Sequence, residues 1–159
     1  MASRERSEGL AAEDGFTLLE VVCVVAIIAM LAAIILPAIP RGTSPARLEA
    51  YAMEAATLLE GDRHAAIRRR TRIATEISAV SRSVRSGASG RVVRLPDDVT
   101  IEALLAKRCN QRPAGTTIDF FASGMSCGGT IALTRLGVGF QVRVNWLTGG
   151  VEVVPVKTL

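Results

Sequence analysis

Histidine and aromatic residues are scarce in this 159-residue chain, and one long segment is almost free of charge. The only histidine, His64, stands among Asp62, Arg63 and Arg68, with no second histidine or cysteine spaced to complete a zinc site or a hydrolytic triad. It reads as a solvated surface side chain. Neither a nucleophile elbow nor a phosphate-binding loop occurs, and the glycine-rich run from Gly124 to Gly129 reads as a connection between strands. No active site and no cofactor are expected. Aromatic residues make up 4% of the chain, too few for the stacking platforms that interleave aromatics with basic residues. Nucleic acid is therefore disfavoured as a partner, and Phe120, Phe121, Phe140 and Trp146 are expected to fill a core.

A length of 159 residues fits one modest domain plus one membrane segment. The formal net charge of +4 is unevenly spread. Residues 1–15 carry Arg4 and Arg6 against Glu5, Glu8, Glu13 and Asp14, so the remainder is more basic than the whole. These fifteen residues show no apolar periodicity and read as a cytoplasmic leader. From Phe16 to Ile39 the only charge is Glu20, and as a helix the run spans roughly 36 Å, enough to cross a hydrocarbon core of about 30 Å with some tilt. A cleaved secretory signal is the rival reading, but its apolar region is normally about 7 to 15 residues and ends in a small-x-small site. Here the run ends in Pro37-Ala38-Ile39-Pro40. An ionisable residue inside a membrane segment costs a few kcal/mol on insertion scales, and it is kept mainly where it has a partner or a task.

Beyond a break at residues 40–45, Leu48, Ala52, Ala55, Leu59 and Ala66 recur at helical spacing, with Glu49, Glu60 and Arg63 between them. Ser44 is a plausible N-cap with Pro45 at the first helical position, and the pattern fades in Arg68-Arg69-Arg70. From Ile73 the pattern changes to short β-prone runs: 73–80, 91–95, 99–105, 117–121, 130–135, 138–146 and 151–156. Strict alternation from Phe140 to Trp146 places one face on a core. Residues 81–90, rich in serine and glycine, read as an exposed loop. The expected fold is α+β, with the amphipathic helix packed on a mostly antiparallel sheet.

Gly15-Phe16-Thr17-Leu18-Leu19-Glu20, at the junction of leader and apolar span, resembles the type IV pilin-like family. The order Ile118-Asp119-Phe120-Phe121, a Ser/Gly loop, Thr130-Ile131-Ala132-Leu133 and then residues 142–151 is similar to the H-type minor pseudopilins of type II secretion systems, whose domain the minor pilins of type IV pili share. The resemblance implies a pilin-like fold with a long N-terminal hydrophobic helix. It implies cleavage by a prepilin peptidase after Gly15, N-methylation of Phe16, an assembly role for Glu20 and a helix bend at Pro37. It divides the chain into a leader (1–15), a transmembrane and filament-core helix (16–39), a Pro/Gly break (40–45) and a periplasmic domain (46–159). The implied partners are the peptidase and N-methyltransferase, other major and minor pseudopilins, the inner-membrane secretion platform and, before assembly, the membrane itself. The implied role is structural, in a pseudopilus that drives export of folded proteins, or alternatively in a type IV pilus. The break at residues 40–45 and the acidic leader depart from the family pattern.

Two features lie outside that resemblance. Cys109 and Cys127 fall in the periplasmic part, where a disulfide is favoured, although two buried free thiols fit the sequence as well. Arg68, Arg69, Arg70 and Arg72 form a basic cluster that fits a solvated helix end, a protein partner or nucleic acid.

Overall fold

The computed structural model describes residues 16–35 and 42–157. The chain divides into two compact units, residues 1–40 and 41–159. In the first, α1 (Leu18–Ile35) is an 18-residue helix of leucine, valine, isoleucine, alanine and methionine with Glu20 and Cys23. It is about 27 Å long at about 1.5 Å per residue. Among the described residues no helix is long and apolar enough to cross a membrane; the last four residues of the apolar run, 36–39, lie outside them.

The second unit opens with α2 (Pro45–Arg69). Ser44 caps it, its side chain accepting from the Arg47 amide at 3.3 Å, and Pro45 takes the first-turn position where its missing N–H costs nothing. The helix stops at Arg70, whose left-handed backbone (φ 49°) turns its N–H back to Ala66 and Ile67. The stripe Leu48, Ala52, Ala55, Leu59 and Ala66 is fully buried, as its spacing requires.

Ten strands follow among the described residues, all paired antiparallel: β1 (Ile73–Ser78), β2 (Ser83–Arg85), β3 (Val92–Arg94), β4 (Thr100–Leu105), β5 (Arg108–Cys109), β6 (Arg112–Pro113), β7 (Thr117–Phe120), β8 (Gly129–Arg135), β9 (Val138–Val144) and β10 (Val151–Lys157). The expected single sheet is two four-stranded sheets, ordered β3-β2-β1-β7 and β10-β9-β8-β4, with β5-β6 as a separate ribbon. α2 packs on both, against β8, β9 and β10 of one and β1 of the other. Leu59, Phe120, Ile118, Ile131, Leu133 and Val142 form the centre of one continuous core.

Two expectations need correction. Residues 81–90 are not simply a loop, because Ser83–Arg85 pairs with β1, with Val84 opposite Ile77 and buried. Trp146 is not in the core: the alternation holds through Val142 and Val144, but the strand ends there and Trp146 is 62% exposed. The Asn145 side chain accepts the amides of Leu147 and Thr148 at 2.9 and 3.1 Å, which closes a turn and swings Trp146 out. The β5-β6 ribbon was not expected.

Behind the serine-rich segment lies a buried carboxylate. Asp62, on the core side of α2 and 1% exposed, accepts from the Thr75 hydroxyl at 2.6 Å, the Ser86 hydroxyl at 2.5 Å, and the amides of Gly87 and Ala88 at 3.0 and 3.2 Å. Four donors around one carboxylate tie α2 to β1 and to the turn after β2. Gly87 is required there, since a Cβ would run into the Ala74 carbonyl oxygen. Cys109 and Cys127 are joined by a disulfide with Cα atoms 5.7 Å apart. It fastens the β5-β6 ribbon to the turn before β8 and closes a loop of 18 residues, worth about 3 kcal/mol by loop entropy. Cys23 is a free thiol on α1.

Candidate functional site

Thr17 caps α1: its Oγ1 and its carbonyl oxygen accept from the Glu20 amide at 3.3 and 3.0 Å. Thr17-Leu18-Leu19-Glu20 has the order of a capping box, which sets Glu20 in the first helical turn. The partial positive charge of the helix N-terminus favours a carboxylate there, typically by about 0.3 to 1 kcal/mol. Phe16 directly precedes the cap and is 82% exposed. Phe16 and Glu20 therefore lie within about one turn of each other at the helix mouth. Gly15 and Pro37 lie outside the described residues. The large apolar side chains from Leu18 to Leu31 are all exposed in the single chain. A helix apolar all round is one that lipid or other helices cover.

The arginine cluster does not stay together. Arg72 donates to Asp119 Oδ2 from Nε at 2.9 Å and from Nη2 at 2.7 Å, and the Thr117 hydroxyl donates to the other oxygen at 3.2 Å. Asp119 is buried, and Arg72, its side chain 38% exposed, is held over it as a counter-ion. The cause is register: β1 pairs with β7 so that Ala74 faces Asp119, which brings the preceding Arg72 over the carboxylate. Arg68, Arg69 and Arg70 remain exposed, and Arg69 donates to the Ala88 carbonyl at 3.3 Å. The two cysteine sulfurs and an Asp119 oxygen lie within 4.8 Å of one another. With the sulfurs bonded to each other and Asp119 engaged by Arg72, this trio offers no open ligand set.

At the start of the second unit, Asp98 clamps Thr43. Its two oxygens accept from the Thr43 amide and hydroxyl, each at 2.8 Å, and Arg135 reaches Asp98 from Nε and the Thr43 carbonyl from Nη1, both at 2.7 Å. The Thr43 amide, then its hydroxyl, and also Arg135 hold the Asp98 carboxyl below the usual carboxylate range, against partial desolvation. The clamp thus contributes stability that is present above the ordinary aspartate pKa of about 3.9. It is lost as the pH falls through the lower folded-state value. The melting temperature of the second unit should therefore stay level near neutrality and drop below about pH 4. Asp98→Asn should melt lower than the wild type at pH 7, with the gap closing toward pH 3; an equal gap at both pH values would contradict the clamp.

An open cleft of 790 Å³ lies beside the β9-β10 turn, lined by Leu104, Leu105, Gly128, Arg143 and Trp146 among others.

Known proteins match at both ends of this description. Residues 10–36 match the family model described as the prokaryotic N-terminal methylation motif. Over 144 residues the chain is 31% identical to the type II secretion system protein H of Xanthomonas campestris pv. campestris, covering 91% of this chain and 85% of that protein. Two solved structures of the minor pseudopilin EpsH from Vibrio cholerae share the fold, with TM-scores of 0.53 and 0.54 at 13% identity, over 67% and 70% of this chain and 95% and 96% of theirs. The type IV minor pilin FimU of Pseudomonas aeruginosa does so with a TM-score of 0.52 at 19% identity, over 68% of this chain and 88% of its own. A methylation motif at the helix mouth and likeness along nearly the whole length converge: the chain belongs to the type II secretion system protein H family.

Proposed function

We propose that this chain is a structural minor pseudopilin, placed at or near the tip of a periplasmic pseudopilus that drives export of folded proteins. The observation that carries this reading is the mouth of α1, where Phe16, the Thr17 cap and the first-turn Glu20 adjoin a run of large apolar side chains that are exposed among the described residues. In this reading a prepilin peptidase removes residues 1–15, a methyl group is added to the new amine of Phe16, and Glu20 pairs with such an amine on a neighbouring subunit. Before assembly residues 16–39 hold the chain in the inner membrane, with residues 46–159 on the periplasmic side. Pro37 supplies the bend, and the secretion platform and other pseudopilins are the partners. The chain works by packing and carries out no reaction. Its likeness to EpsH and to the H protein supports this assignment.

A second reading, a minor pilin of a type IV pilus, is favoured by the FimU likeness. Deleting the gene separates the two. Loss of type II substrate export, restored by the plasmid-borne chain, is the expected result. Normal export with loss of pili or twitching would transfer the assignment to the pilus.

A further inference from the structure

Gly61 sits in the middle of α2, on its exposed side, and a Cβ built there meets nothing within 4 Å. Glycine inside a helix is destabilising relative to alanine, and no neighbour among the described residues requires it. The space in front of it is a groove of 210 Å³ between α2 and the turn after β2, lined by Gly61, Thr57, Arg68, Arg69, Ser89 and Arg91. The buried Asp62 network forms its floor and holds the turn in place. Arg68, Arg69 and Arg91 are exposed, and none makes a salt bridge among the described residues.

We propose that this groove receives an acidic segment of a neighbouring pilin-like subunit, its backbone close over Gly61 and its carboxylates on Arg68, Arg69 and Arg91. The proposal deepens the pseudopilin reading and rests on it. Guanidinium groups match carboxylates in a planar two-point geometry, and the missing side chain at position 61 gives the approach that a backbone needs. Acidic helix surface is what this fold itself displays, for Glu49, Glu54 and Glu60 on α2 are exposed and unpaired among the described residues. Duplex DNA fits less well. No aromatic side chain lines the groove, and three arginines are few against the roughly 6 to 10 phosphate contacts of an ordinary DNA-binding surface.

The test uses the full chain in detergent micelles, with a fluorescent glutamate-rich peptide and a DNA duplex as separate probes, read by anisotropy at physiological salt. The peptide should bind, and Gly61→Leu and Arg91→Glu should each weaken it about tenfold or more. Gly61→Leu should at the same time raise the melting temperature, since leucine is the better helix former. That combination separates a blocked surface from a damaged fold. In cells, Gly61→Leu should lose crosslinks to the co-expressed pilin-like subunits and lower export. Peptide binding unchanged by Gly61→Leu, or a duplex bound more tightly than the peptide, would overturn the proposal. If Gly61→Leu exports like the wild type while deletion abolishes export, the groove is wrong and the pseudopilin reading stands.

Discussion

Glu20→Ala should leave cleavage after Gly15 intact and reduce incorporation into the filament by about 100- to 3,000-fold. The magnitude follows from what the substitution strands. In the pseudopilin reading, removal of residues 1–15 gives Phe16 an ammonium that the precursor lacks, and in an apolar helix bundle that charge needs a partner. Removing one member of a desolvated pair typically costs about 3 to 5 kcal/mol, and each 1.4 kcal/mol is a factor of about ten in association. The first-turn position of Glu20 adds only the smaller helix-dipole contribution. Glu20→Gln should fail nearly as badly, because the shape is kept and the charge is lost. Glu20→Asp should be intermediate, since its carboxylate reaches about one methylene less far. Gly15→Leu should act earlier and block cleavage itself by crowding the peptidase site. Crosslinking to partner subunits reads assembly, and wild-type crosslinking by Glu20→Ala would contradict the pairing.

The largest effect on folding is expected at Asp62. Asp62→Ala strands four donors at once: the Thr75 and Ser86 hydroxyls, both buried, and the amides of Gly87 and Ala88. A single buried donor without a partner costs about 1 to 3 kcal/mol. A water admitted to the space recovers part of the total, which leaves about 3 to 5 kcal/mol. Asp62→Asn should lose less, but each Asp62 oxygen accepts two donors, so the amide must turn its NH2 toward some of them. Urea unfolding of residues 42–159, followed by far-ultraviolet circular dichroism, measures both. A loss below about 1 kcal/mol for Asp62→Ala would show that the carboxylate does not hold the turn.

Asp62 also shows where the sequence was legible and where it was not. The apolar stripe of α2 and its Ser44-Pro45 start are local patterns, fixed by helical period and cap chemistry, and the structure has them where the sequence places them. Asp62 stands in that same stripe, three residues after Leu59 and four before Ala66, and a charge on a core face is a sign of a buried network. Its partners are 13 to 26 residues away, so neither the β2 strand nor the ordering of the serine-rich turn has a local signature. The same holds for Arg72, which sits in an arginine run by sequence and over Asp119 by strand register. Trp146 was misplaced because alternation continues through the letters after the strand has stopped at Val144. Gly61 has no local signature, since only the folded helix shows that no described residue crowds it.

The measurement that bears most directly on the pseudopilin account is the intact mass of the chain purified from the membranes of its own cells, for wild type and Glu20→Ala side by side. Both should begin at Phe16 and carry one added methyl on that amine, while only the wild type crosslinks to its neighbours. A chain that keeps residues 1–15, or one cut beyond the apolar run, would contradict the account.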